Sequence, residues 1–174
     1  RDLPVLVKDV RVTAAPDPTV AVFTGAFGGA AFDGDTFTVP GSADGWAGYA
    51  NDNADVYPYS LEYGGTLTFT GSTASDSPLD DVSVYFKFEA APYPDTEPSY
   101  TTDTVVVSGD ATEYSIDVPA QGSNTHSSFL MYVVERDLPV TISNVKVTAR
   151  GANWDFDGNG HTDALTLSLI HISE

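Results

Sequence analysis

The chain contains no cysteine, and that absence removes disulfides, thiolate metal sites and a cysteine nucleophile. Basic residues are almost as scarce: 7 Lys and Arg stand against 25 Asp and Glu, a formal net charge of −18. Nucleic acid is disfavoured as a partner, because phosphate binding needs clustered Lys and Arg. Anionic polysaccharides and anionic membranes are disfavoured by the same repulsion. A neutral ligand suffers no such penalty, although acidity that only maintains solubility is an equal reading. No apolar run is long enough to span a bilayer. No signal-peptide pattern is visible, and one would be missing in any case from an internal fragment.

What the 174 residues do contain is 41% hydrophobic side chains, 15 Gly and 11 Pro. That is enough apolar material for one core, punctuated by turn formers rather than by helical patterns. Period-2 alternation recurs along the chain. It predicts strands at Asp35–Val39, Thr66–Thr70, Asp81–Glu89, Thr104–Val107, Glu113–Val118, Ser128–Val134 and Val140–Val147. In the clearest of these Val82, Val84, Phe86 and Phe88 share one face, expected to pack against Phe129, Met131 and Val133 or against Ile142, Val145 and Val147. The stretch 128–134 is mostly apolar and reads as a central strand. Several short strands with regular turn signals are expected to form an all-β sandwich or jelly roll of two antiparallel sheets.

The two ends of the chain repeat each other. Residues 1–14 and 136–149 share Arg-Asp-Leu-Pro-Val at their start and Val10/Val145, Val12/Val147, Thr13/Thr148 and Ala14/Ala149 further on. Val7/Ile142, Asp9/Asn144 and Arg11/Lys146 are near-equivalents. The offset suits tandem β-sandwich domains. Residues 1–14 are then expected to be the last strand of a preceding copy, 15–19 a Pro-stiffened linker and 20–149 a full domain, joined covalently to neighbouring domains. Residues 150–166 form a further segment. Within it, Asp155, Asp157, Asn159 and Asp163 stand at oxygen-ligand positions of a calcium loop, with Gly160 at the sharp turn and His161 offering its backbone carbonyl. This resembles EF-hand and dockerin-like loops, truncated because Thr166 stands where an acidic ligand is needed; an acidic linker is the alternative. Residues 167–174 resemble the in-frame translation of a transposon-type sequencing adapter from a metagenomic assembly, with a genuine last strand as the alternative, and are left out of the fold.

Three phrases carry a family resemblance: Leu67-Thr-Phe-Thr70, Val82–Glu89, and Ser128-Phe-Leu-Met-Tyr132 with the closing Val140–Val147. Together they resemble galactose-binding-like jelly-roll carbohydrate-binding modules. The stretch 27–53, with Trp46-Ala-Gly-Tyr-Ala-Asn51, is similar to tandem accessory domains of marine bacterial laminarinase-like glycoside hydrolases. The resemblance implies sugar binding on a sheet face or at loop tips, and a structural calcium. Family calcium ligands include a polar residue just before the last strand's apolar run; Asn144 takes that place, with Asp33 and Asp35 as further candidates.

Neutral sugars are held by aromatic faces stacked on C–H surfaces and by planar polar groups paired with hydroxyls. On the 82–89 strand Tyr85, Lys87 and Glu89 alternate away from the core face, either as a hydroxyl-binding stripe or as an ordinary solvated face. Lys87, Arg136 and Lys146 are the only basic residues between 20 and 149. Trp46, Tyr49 and Asn51 cluster in a Gly-rich stretch, with Trp46 either a sugar platform or a plug of the sandwich edge. Tyr93 and Tyr100 bracket a Pro-rich loop that either borders a site or is a rigid connection. Catalysis finds little footing. His126 has no assignable triad partner, and no Gly-x-Ser-x-Gly motif exists. The expected function is a non-catalytic module binding a neutral polysaccharide, β-glucan favoured. A calcium-stabilised structural or adhesive repeat is the alternative, and a glycan-active enzyme the third reading.

Overall fold

The computed structural model describes residues 17–74 and 78–151. The preceding-repeat strand expected at 1–14, the calcium loop with Asp155, Asp157, Asn159, His161 and Asp163, and residues 167–174 lie outside the described residues.

Among the described residues fourteen strands make a jelly-roll β-sandwich of two antiparallel six-stranded sheets and a small ribbon. They are β1 (Thr19–Val20), β2 (Gly25–Phe27), β3 (Ala31–Asp33), β4 (Thr36–Thr38), β5 (Gly48–Ala50), β6 (Tyr59–Ser60) and β7 (Gly65–Thr73). Then follow β8 (Val82–Glu89), β9 (Ser99–Thr101), β10 (Val105–Val107), β11 (Thr112–Val118), β12 (Thr125–His126), β13 (Ser128–Val133) and β14 (Val140–Ala149). One sheet runs β11-β7-β14-β4-β3, with β1 also on β14; the other runs β10-β8-β13-β5-β2, with β9 also on β8. Strands β12 and β6 pair separately.

Alternation decides which side chains meet. Val82, Val84, Phe86 and Phe88 of β8 are all fully buried. Phe129 and Met131 stand beside Phe88 and Phe86 in the same sheet. The partners across the core come from the other sheet: Leu67 and Phe69 of β7, Ile116 and Val118 of β11, and Val140, Ile142, Val145 and Val147 of β14. Phe86 and Phe129 stack with centroids 5.8 Å apart, and Phe69 tilts onto Phe86 at 5.3 Å. Removing each such ring from water stabilises the fold by roughly 1.5–3 kcal/mol.

β14 holds its apolar face inward through a register shift between Ser143 and Lys146. Val140 and Ile142 point in, and without a shift Val145 would point out. An extra residue restores the phase, and Asn144 takes the strain with φ at 53°. Its Nδ2 donates to Thr70 Oγ1 at 3.3 Å. Asn144→Ala should cost roughly 1–2 kcal/mol in urea denaturation, because alanine lacks the short polar side chain that lets asparagine tolerate left-handed backbone. Asn144→Gly should cost less, and equal losses would remove the bulge argument.

Candidate functional site

The outer face of the sheet holding β8 and β13 carries the site. Tyr85 and Tyr132 are directly opposed in register, and their rings stack 4.9 Å apart at 10°. The next strand, β5, presents Gly48 at this level. A β-carbon there would sit 2.9 Å from both Tyr132 Cδ1 and Phe27 Cζ, so only glycine lets those two rings meet over it. Phe27, opposite Gly48 on β2, lies edge-to-face on Tyr132 at 6.0 Å. Trp46, at the entry to β5, stacks parallel on Phe27 at 6.1 Å and stays 61% exposed. The result is one aromatic row, Tyr85–Tyr132–Phe27–Trp46, crossing the strands.

Beside this row lies an open groove of about 520 Å³. Trp46, Tyr85 and Tyr132 line it on the aromatic side, Thr101, Thr102 and Thr104 at the sheet edge, and Lys87 between them. Lys87 Nζ donates to Glu89 Oε1 at 2.8 Å, so its charge is largely offset while two of its protons stay available. Glu89 is only 5% exposed, and its other oxygen accepts from Ser128 Oγ at 3.2 Å. Burial, with the negative charge of Glu89 and the neighbouring Tyr85, pushes the Tyr132 phenol up to about 12. It stays a neutral donor at any physiological pH.

The structure redistributes the residues singled out in the sequence. Trp46 is exposed, with one face on Phe27, and does not plug the sandwich edge. Tyr85 and Lys87 line the groove. Glu89 shares their strand phase but is enclosed: Ser127 N and Ser128 Oγ both bond to it, and the chain folds back so that Ala90 N donates to Thr96 and Pro98 carbonyls. It therefore fixes Lys87 instead of facing a ligand. Tyr49 is a core residue, fully buried, its hydroxyl donating to the Ala31 carbonyl at 3.0 Å. The physical reason is that 48–50 is strand, so alternation turns Tyr49 inward alongside Met131. Asn51 is 4% exposed, and its Oδ1 accepts from Asn53 N at 3.0 Å, organising the next turn. Tyr100 stands opposite inward-facing Phe88 and packs on the edge of the core. Tyr93 is 89% exposed but does not line the groove. Arg136 binds loop carbonyls and is not a groove residue either. Sequence reasoning missed Tyr132, Phe27 and the edge threonines. Tyr132 was legible, as the outward partner of Met131 and Val133 in an apolar strand.

Among the described residues no group of three or more His, Asp and Glu side chains is placed to hold a metal ion. Asp33 and Asp35 are exposed, and Asn144 is engaged with Thr70.

Comparison with known proteins identifies a fold. No family model matches the chain, and no curated protein matches it. Among solved structures it is similar to a family 29 carbohydrate-binding module from Piromyces equi. The TM-score is 0.50 at 14% identity, over 77% of this chain and 91% of that one. The CBM22-1 xylan-binding domain from Paenibacillus barcinonensis Xyn10C aligns with TM-score 0.45 at 14% identity, over 80% and 86% of the two chains. The CBM22-1–GH10 modules of Clostridium thermocellum xylanase 10B align with TM-score 0.46 at 13% identity, over 78% of this chain and 25% of that one.

Proposed function

We propose that the chain is a secreted, non-catalytic module that binds a neutral polysaccharide, β-glucan favoured, joined covalently to further domains of a longer protein. The observation that carries the reading is the aromatic row ending in exposed Trp46 along a groove also lined by Lys87 and the exposed Thr101 and Thr104. Aromatic faces match the C–H faces of pyranose rings, and the ammonium and hydroxyls match their oxygens. The reading of a neutral ligand is supported by the pairing of Lys87 with Glu89 in a chain of net charge −18. The preference for β-glucan rests on the resemblance of residues 27–53 to laminarinase-associated domains. A glycosidase needs two carboxyl groups flanking the scissile bond, and among the described residues no Asp or Glu lines this groove. Calcium, held by Asp155, Asp157, Asn159, Asp163 and the carbonyl of His161, is proposed as a structural ion of the 150–166 segment.

Affinity electrophoresis against laminarin, mixed-linkage glucan, xylan, mannan, agarose and alginate, with calcium and with chelator, tests these statements together. Retardation by a neutral glucan, unchanged by chelator and without product release, is the expected result. Failure to be retained by every neutral glycan, with a chelator-dependent fall in melting temperature, would instead establish a calcium-stabilised structural repeat. Reducing-sugar release would establish an enzyme.

A further inference from the structure

We infer that Arg136 and Asp137 form a clamp that positions the Trp46 platform, acting on the ligand through the loop and not by contact; the inference rests on the glycan-binding reading above. The loop 40–46 joins β4 to β5 and ends in Trp46. Its carbonyls converge on one guanidinium: Arg136 Nη2 donates to Asp44 O at 3.1 Å, and Nη1 lies 3.4 Å from Ala43 O and 3.5 Å from Pro40 O. The next residue grips the same loop with the opposite polarity. Asp137 Oδ1 accepts from Gly41 N at 2.8 Å, and Asp137 N donates to Val39 O at 2.9 Å.

Two adjacent residues thus satisfy both donors and acceptors of a loop that has no strand partner of its own. Asp137 does so from left-handed backbone, φ 62°, a conformation that Asp tolerates better than most residues. The far side of the loop is seated by Asp44 N donating to Gly28 O at 2.8 Å. Gly28 has φ 64° and lies so close to Ala47 that a β-carbon would sit 2.7 Å from its Cα. Trp46 is therefore delivered onto Phe27 by a loop held at both flanks, and a pre-positioned ring loses less freedom on binding. The guanidinium fork is needed because three carbonyls converge on it, which an ammonium cannot match in the same geometry. The same Arg-Asp-Leu-Pro-Val pentapeptide stands at residues 1–5.

The test places Arg136→Ala, Arg136→Lys and Asp137→Gly on a Trp154→Phe background, so that Trp46 is the one tryptophan. Asp137→Gly accepts the left-handed backbone and removes the side chain that binds Gly41 N, which keeps the test open if Arg136→Ala folds poorly. Trp46 anisotropy and acrylamide quenching are read without glycan, and laminarin retention is read separately. Arg136→Ala and Asp137→Gly should make Trp46 more mobile and more quenchable, and weaken retention by about tenfold, the equivalent of 1.4 kcal/mol. Arg136→Lys should fall between. Unchanged Trp46 signals in folded variants overturn the clamp. Weaker retention with unchanged Trp46 signals also overturns it, by making Arg136 a direct contact. Loosened Trp46 in a protein that binds no glycan upholds the clamp and overturns the glycan reading alone.

Discussion

Replacing Trp46 with alanine is expected to weaken binding to the retained glucan by roughly thirtyfold, from a loss of about 2 kcal/mol. The ring is 61% exposed with one face on Phe27, so the other face is free for a sugar. Truncating it deletes the largest apolar contact on the groove without opening a core cavity. Stability should therefore change by about 0.5 kcal/mol or less, as for most surface substitutions. Tyr85→Ala should reduce affinity too. Its ring is stacked on Tyr132, so Tyr85→Ala and Tyr132→Ala together should fall short of the sum of the two single losses. Titration calorimetry on the three variants and the double variant decides the matter. Full affinity in both Trp46→Ala and Tyr85→Ala, with the fold intact, would remove the groove as the binding site.

The same residues show how far sequence reading reaches. The long strands were legible because their apolar residues alternate strictly, as in Val82, Val84, Phe86 and Phe88. The bulge in β14 was not read, although the spacing of three between Ile142 and Val145 breaks the period in a way that only an inserted residue reconciles with two buried flanks. The short strands were not legible. β2, β3 and β5 have three residues each, too few for a period to show. That is why Tyr49 and Asn51 read as site candidates in a Gly-rich stretch, when β5 turns Tyr49 inward and Asn51, just past its end, is buried as well. The groove itself is a product of register. Tyr85 and Tyr132 are 47 positions apart and meet only because β8 and β13 pair with Val84 opposite Val133. No local pattern places Gly48 between Phe27 and Tyr132. Arg136 was noticed for its rarity as a cation, but its partners, the carbonyls of 40–44, leave no trace in side-chain chemistry.

Acidification from pH 7.5 to 5 is expected to destabilise the domain through His126, and His126→Leu is expected to blunt that loss. His126 is fully buried beside Phe88, with ring centroids 5.9 Å apart, and neither ring nitrogen has a hydrogen-bond partner in the structure. Tyr59 is its partner across β12 and β6. Burial pushes the imidazole below its ordinary value of 6.5, since no neighbour compensates the charged form. Folded chains then refuse a proton that unfolded chains accept. The neutral imidazole's contribution is fully present above about pH 6.5 and is lost as the pH falls below it, by up to about 1.4 kcal/mol per unit until the folded imidazole itself titrates. At neutral pH the unpaired nitrogens cost stability, so an apolar side chain should raise it, by roughly 1–3 kcal/mol if the packing is kept. Urea midpoints of the two proteins at pH 7.5, 6.5 and 5 separate these terms. The gap between His126→Leu and the parent should widen on acidification. A constant gap would mean that His126 titrates alike folded and unfolded, and that its nitrogens reach water or a partner after all.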